Sequence, residues 1–183
     1  MLGRQRGLAS LLVGALALVL VAAGCGKSAD EKANEAYANS VCNAIAGWQT
    51  QVKSIATDLT GGISAATLQS KVTKVETATK DLVTQVKALP PPATSQGAAT
   101  KQQLDQFENQ LKTTVDSTKT AVAAVQANGS ASTVVAALVA VVPQVKSLVT
   151  TAKSTLTDLQ NSKEALSSAF KSADSCKSLT SSK

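Results

Sequence analysis

The stretch Val41-Cys-Asn-Ala-Ile-Ala-Gly-Trp-Gln-Thr-Gln-Val-Lys-Ser-Ile-Ala-Thr-Asp-Leu-Thr-Gly-Gly62 decides the fold. Within it Val41, Ile45, Trp48, Val52, Ile55 and Leu59 recur at spacings of 4, 3, 4, 3 and 4, the heptad-like period that lines one side of an α-helix with apolar side chains. Gly61-Gly62 then halts the helix. Upstream, Ser28-Ala-Asp-Glu31 has the spacing of a capping box, in which the serine accepts from an orphan backbone N–H and the glutamate reaches back to the cap. A helix is therefore predicted to begin just after Ser28. Its seam must pack against others, and the chain supplies them.

Downstream, Leu68, Val72, Val75, Leu82, Val86 and Leu89 repeat the period, with one apolar beat missing at Thr79. Pro90-Pro91-Pro92 ends this second segment, because proline lacks the N–H and restricts the residue before it. The polar stretch Ala93 to Ala99 reads as a linker, and Thr100-Lys-Gln-Gln103 as a second capping box opening a third helix. That helix carries Leu104, Phe107, Leu111, Val115, Thr118, Val122 and Val125, and Asn128-Gly129-Ser130 closes it. Val134 to Val142 is nearly all valine, alanine and leucine, a composition compatible with a buried strand. Helix is preferred because no second strand candidate exists to pair with it. Pro143 marks a kink or a break, after which Val145, Leu148, Ala152, Leu156, Leu159, Leu166 and Phe170 restore the helical period. The expected architecture is all-α: an antiparallel four-helix bundle with short loops over residues 29–183, in five segments if Pro143 breaks the fourth helix.

The chain begins differently. Arg4 and Arg6 precede an uncharged apolar run from Leu8 to Ala23 that exits through small residues at Ala22-Ala23-Gly24-Cys25. A positive start, an apolar middle and a small-residue exit make a secretory signal peptide over residues 1–24. The exit resembles the lipobox of bacterial lipoproteins, although Ala22 stands where leucine is usual. The resemblance implies cleavage before Cys25, a diacylglyceryl group on that sulfur, residues 25–28 as a tether, and a cell-membrane location on the extracytoplasmic face. Two acyl chains suffice for stable anchoring where one gives only marginal binding. The alternative is an uncleaved membrane helix, since Gly7 to Gly26 carries no charge over a length that spans a bilayer. The alanine-, valine- and threonine-rich composition is similar to that of small uncharacterised lipoproteins of actinobacteria.

Composition narrows the chemistry of the remaining 159 residues. Arg4 and Arg6 are the only arginines, so the mature charge is 16 lysines less 12 carboxylates, or +4. Without arginine the mature chain lacks the planar fork that grips phosphate and guanine, and Tyr37, Trp48, Phe107 and Phe170 are its only aromatics. Nucleic acid is not an expected partner. Histidine is absent, which removes the commonest general base and the commonest transition-metal ligand, so neither a cofactor nor a metal is implied.

Once Cys25 is lipidated, Cys42 and Cys176 are the two remaining thiols, and an extracytoplasmic compartment permits their oxidation. In an up-down-up-down bundle the last helix descends beside the first, which brings the two within reach of a disulfide. The alternative leaves Cys42 as a small core residue and Cys176 on a frayed tail. Ser168-Ala-Phe-Lys171 matches the S-x-x-K spacing of penicillin-binding proteins and β-lactamases, but no Lys-Thr-Gly accompanies it, and no catalytic residue is assigned. Asp30, Glu31 and Glu35 suit the positive end of the first helix dipole. Trp48 is read as a packing anchor, or else, with Tyr37, as a binding surface for a ligand or partner.

The expected function is a non-enzymatic binding or structural module of the envelope, held to the membrane through Cys25 and engaging an envelope protein. The alternative is a carrier for lipid or another small apolar ligand in a cavity between the helices. A filled core with an exposed apolar stripe favours the first, and a large apolar void favours the second.

Overall fold

The capping box forms as spaced. Ser28 N donates to Glu31 Oε2 at 2.7 Å and Glu31 N donates to Ser28 Oγ at 3.2 Å, which starts α1, Ala29–Asp58. In this computed structural model the described residues are 27–59, 64–92, 95–128, 130–162 and 165–181. Residues 1–24, expected to be a signal peptide, Cys25 and the glycines at 61, 62 and 129 lie outside them. Five further helices follow: α2, Ala65–Ala88; α3, Ser95–Asn128; α4, Ala131–Asn161; α5, Ala165–Ser172; and α6, Asp174–Ser181. Among the described residues there is no strand, and the helices form an all-α bundle in which α3 packs on α4 and on α2, and α1 packs on α2, α4, α5 and α6.

The heptad seams make the core. Val41, Ile45, Trp48, Val52, Ile55 and Leu59 of α1 are all buried, as are Leu68, Val72, Val75, Leu82 and Val86 of α2. Leu89 ends the second seam as a half-buried C-cap ahead of the three prolines. Ser64 and Ser130 cap α2 and α4 by accepting from the N–H three residues on, at 3.2 and 3.4 Å.

Three boundaries refine the sequence reading, the second by choosing between its alternatives. The third helix opens at Ser95 rather than after Thr100, because Gly97, Thr100, Leu104, Phe107 and Leu111 already form one buried stripe. Thr100 is thus a core residue and not a cap. The early start depends on Gly97, where an added Cβ would lie 2.2 Å from Pro92 O. Second, α4 runs without a break through Pro143. Proline removes the donor that would serve the carbonyl of residue 139, and Val139 is on the solvent side, so the unserved carbonyl is not sealed in the core.

Third, the fourth segment does not carry the helical period on to Phe170. α4 stops at Asn161, and the chain turns into α5, whose Leu166, Ala169 and Phe170 are buried. Gln160 Nε2 donates to Phe170 O at 3.2 Å, tying α5 to the flank of α4. α5 and then α6 rise along α1 in its own direction: Ser168 and Ser172 lie by Lys27–Glu35, and Cys176 reaches Ala38 and Cys42. α4 packs beside α1, but Cys176 is carried to Cys42 by this reversal and not by the end of the descending helix.

Candidate functional site

Cys42 and Cys176 are joined by a disulfide, with Cα atoms 5.1 Å apart and both side chains fully buried. It closes a loop of sequence separation 134 and pins α6 to α1. Ser175 N donates to Asn39 Oδ1 at 3.3 Å beside it. Trp48 is 2% exposed, and its indole N–H donates to Thr79 Oγ1 at 3.2 Å, so the missing apolar beat of α2 holds the acceptor that a buried indole requires. Tyr37 is also buried, and desolvation, with a smaller push from Asp105, raises its phenol above the ordinary tyrosine range. Both aromatics are buried, which accords with the packing role. Ser168 and Lys171 are on α5 with exposed side chains. Among the described residues no group of three His, Cys, Asp or Glu side chains could hold a metal ion.

Two concavities lie between outward helix faces. One of about 490 Å³ lies between α2 and α3, bordered by Glu76, Lys80, Lys87, Glu108, Lys112 and Asp116. Lys80 and Lys119 pair with Glu76 at 2.8 and 2.9 Å, and their hydrogen bonds hold its carboxyl below the usual glutamate range. Glu108, almost buried, pairs with the exposed Lys87 at 3.0 Å. Another of about 510 Å³ lies open between α1 and α2, lined by residues such as Thr50, Gln51, Lys74 and Asp81. Behind their charged rims these linings carry apolar side chains as well, Val83 and Val115 in the first and Ile55 and Ala78 in the second, and both are open clefts rather than enclosed cavities.

A different feature stands out on α4. Residues 120–145 contain no charged side chain, and within that run Val135 is 59% and Val139 72% exposed. Leu138, Val142 and Val149 beside them are half-buried. Their neighbours Val134, Ala137, Val141 and Val145 form the inward seam, so the first half of α4 is apolar on two sides. α4 is long and apolar enough by length and composition to cross a membrane, yet it packs in the bundle against α3, where Thr118 Oγ1 bonds Gln144 Oε1 at 2.8 Å. The sequence signal for this surface is the 26-residue charge gap itself. Periodicity could not separate its inward valines from its outward ones.

Fold and site define a disulfide-pinned all-α bundle with an uncovered apolar flank. No protein-family model matches this chain, and neither a curated protein nor a solved structure matches it.

Proposed function

We propose that this chain is a membrane-anchored extracytoplasmic lipoprotein whose bundle acts without catalysis as a protein-binding module of the cell envelope. The observation that carries this reading is the exposed Val135–Val139 surface set on a core of buried aliphatic side chains. Apolar surface left in water costs about 25 cal/mol for every Å². A contiguous exposed patch on a stable scaffold therefore points to an interaction site. The described concavities are open clefts between outward helix faces rather than enclosed cavities, which gives less support to a carrier that shields an apolar ligand between the helices. The lipobox-like Ala22-Ala23-Gly24-Cys25 supports the anchor and the compartment, and the disulfide fits an oxidising one.

Intact-mass analysis of the protein extracted from its native host tests this reading. The expected species starts at Cys25, carries a diacylglyceryl adduct lost in Cys25→Ser, and is lighter by two hydrogens than its reduced form. An apolar molecule released only on denaturation would sink the binding-module reading in favour of a carrier. An unlipidated chain recovered from the cytoplasm would sink the anchor.

A further inference from the structure

We infer that a cleft between α3 and α4, about 22 Å along α4 from Val139, binds a neutral saccharide. This site needs neither the lipid anchor nor the exposed valines, so it stands or falls apart from the protein-binding reading. The cleft has a volume of about 360 Å³. One wall carries the carboxamides of Gln103, Gln106 and Gln110 on α3, and the other carries the hydroxyls of Ser154 and Thr155 and the carboxylate of Asp158 on α4. At i, i+3 and i+7 the three glutamines share an arc of about 60° and form a ledge about 10 Å long. The antiparallel register set by Thr118 on Gln144 brings Gln103 level with Asp158, so the two walls run past each other over the same turns. Long glutamines on one helix stand opposite short hydroxyl side chains on the other, and the difference in reach leaves the trough.

The groups left free in this trough name the ligand. Residues 102–110 hold four of the chain's 13 glutamines, and the charges of the same stretch are drawn elsewhere: Lys101 pairs with Asp105 at 3.1 Å, and Glu108 pairs with Lys87 of α2 at 3.0 Å. Among the described residues the three cleft carboxamides, Thr155 Oγ1 and the Asp158 carboxylate have no internal partner. Ser154 Oγ donates to Thr151 O at 3.0 Å and keeps its lone pairs for a ligand. Carboxamides and hydroxyls both donate and accept, while the carboxylate accepts only. An anion would meet Asp158 and no lining cation. An apolar molecule would displace the water on six polar side chains without replacing its hydrogen bonds. A cation would find a single, exposed carboxylate in an otherwise neutral lining. A neutral ligand dense in hydroxyls replaces that water group by group. The α2–α3 cleft differs, since the pairs Lys119–Glu76 and Lys87–Glu108 already engage its groups. Phe107 lies at the floor of the α3–α4 cleft but is 1% exposed, so it offers no ring face for a sugar to stack on. Recognition rests on hydrogen bonds to solvated groups, and binding is therefore weak, with a Kd on the order of 1 mM.

The test titrates the full chain, its disulfide intact, 15N-labelled and held in a detergent without a sugar headgroup, with cellotetraose, chitotetraose and mannotetraose. The readout is the side-chain carboxamide signals of Gln103, Gln106 and Gln110 in NMR spectra. At least one of the three probes is expected to shift those signals saturably. Gln106→Ala with Asp158→Ala should weaken that binding by at least about tenfold. Val139→Asp, and Gln51→Ala with Lys74→Ala in the α1–α2 cleft, should leave it unchanged. All the substituted side chains are exposed, so the variants keep the fold, checked by helical circular dichroism and the intact disulfide. A saturable shift from none of the three probes overturns the proposal. So does an equal response to glycerol at matched hydroxyl concentration, which would mark a merely hydrated cleft, or equal binding of the anionic tetragalacturonate. Binding that survives the Gln106 and Asp158 changes, or that falls equally with the α1–α2 control pair, overturns it as well.

Discussion

Trp48 and Thr79 face each other across the α1–α2 contact, the indole N–H donating to the threonine hydroxyl at 3.2 Å inside the core. One polar residue in an apolar seam is therefore what lets the single tryptophan be buried. Thr79→Val keeps the shape and removes the acceptor, so stability is expected to drop by about 1–3 kcal/mol in urea unfolding. Adding Trp48→Phe should recover part of that loss, since the orphaned donor is gone. Strict additivity of the two changes would argue against the bond as the cause.

The Cys42–Cys176 bridge closes a loop of sequence separation 134, and in the chain-entropy model a loop of that size stabilises by about 5 kcal/mol. Reduction, or the double change to alanine, is expected to lower the guanidinium midpoint strongly and to release α6 first. Amide hydrogen exchange should show protection lost over residues 174–181 before the α3–α4 pair.

The folded-state pKa of Glu76 lies below its ordinary value because Lys80, and then Lys119, donate to it. A depressed carboxyl contributes stability that is present above the unfolded-state pKa and is lost as pH falls through the folded-state value. Stability should therefore decline on acidification below the ordinary glutamate range. Glu76→Gln should flatten that part of the profile and lower neutral-pH stability by the same amount, a small one for a largely solvent-screened cluster. An identical acid profile in the variant would show that other carboxyls dominate.

Adjacent valines of α4 should behave in opposite ways. Val141 is fully buried, so Val141→Asn is expected to destabilise by several kcal/mol, about the cost of a cavity plus an unpaired amide. Val139, 72% exposed, should accept Asn within about 0.5 kcal/mol and gain solubility. Paired thermal melts of the two variants decide it.

Gly97 sits where the first turns of α3 fold against the proline run. A methyl group there would meet Pro92 O at 2.2 Å, a backbone atom that cannot swing away. Gly97→Ala should cost about 1–3 kcal/mol despite alanine's better helix propensity. Gly47, whose added Cβ meets nothing within 4 Å, is the control, and Gly47→Ala should stabilise by up to about 1 kcal/mol.

Period carried most of the architecture. The 4-3-4-3 spacing of α1, the capping box at Ser28 and the prolines after Leu89 are local instructions, and each produced the helix or the end it implied. The period misled where two meanings share one pattern. Thr100-Lys-Gln-Gln103 fits a capping box, but Thr100 also continues the buried stripe upstream to Gly97, and packing of that stripe extended the helix past the apparent cap. Leu159, Leu166 and Phe170 keep a heptad rhythm across a chain reversal, because a helix and its returning neighbour bury leucines against the same core.

The amino-acid sequence by itself determined the main helices, their apolar seams and the absence of histidine chemistry. These follow from spacing and composition, which act within a few residues. Only the tertiary structure decided that α5 and α6 turn back along α1, that Thr79 serves Trp48, and that Val139 faces water while Val141 does not. In a helix uniformly made of valine and alanine, every side offers similar apolar area, so which side is buried is set by the neighbours that the rest of the chain brings to it.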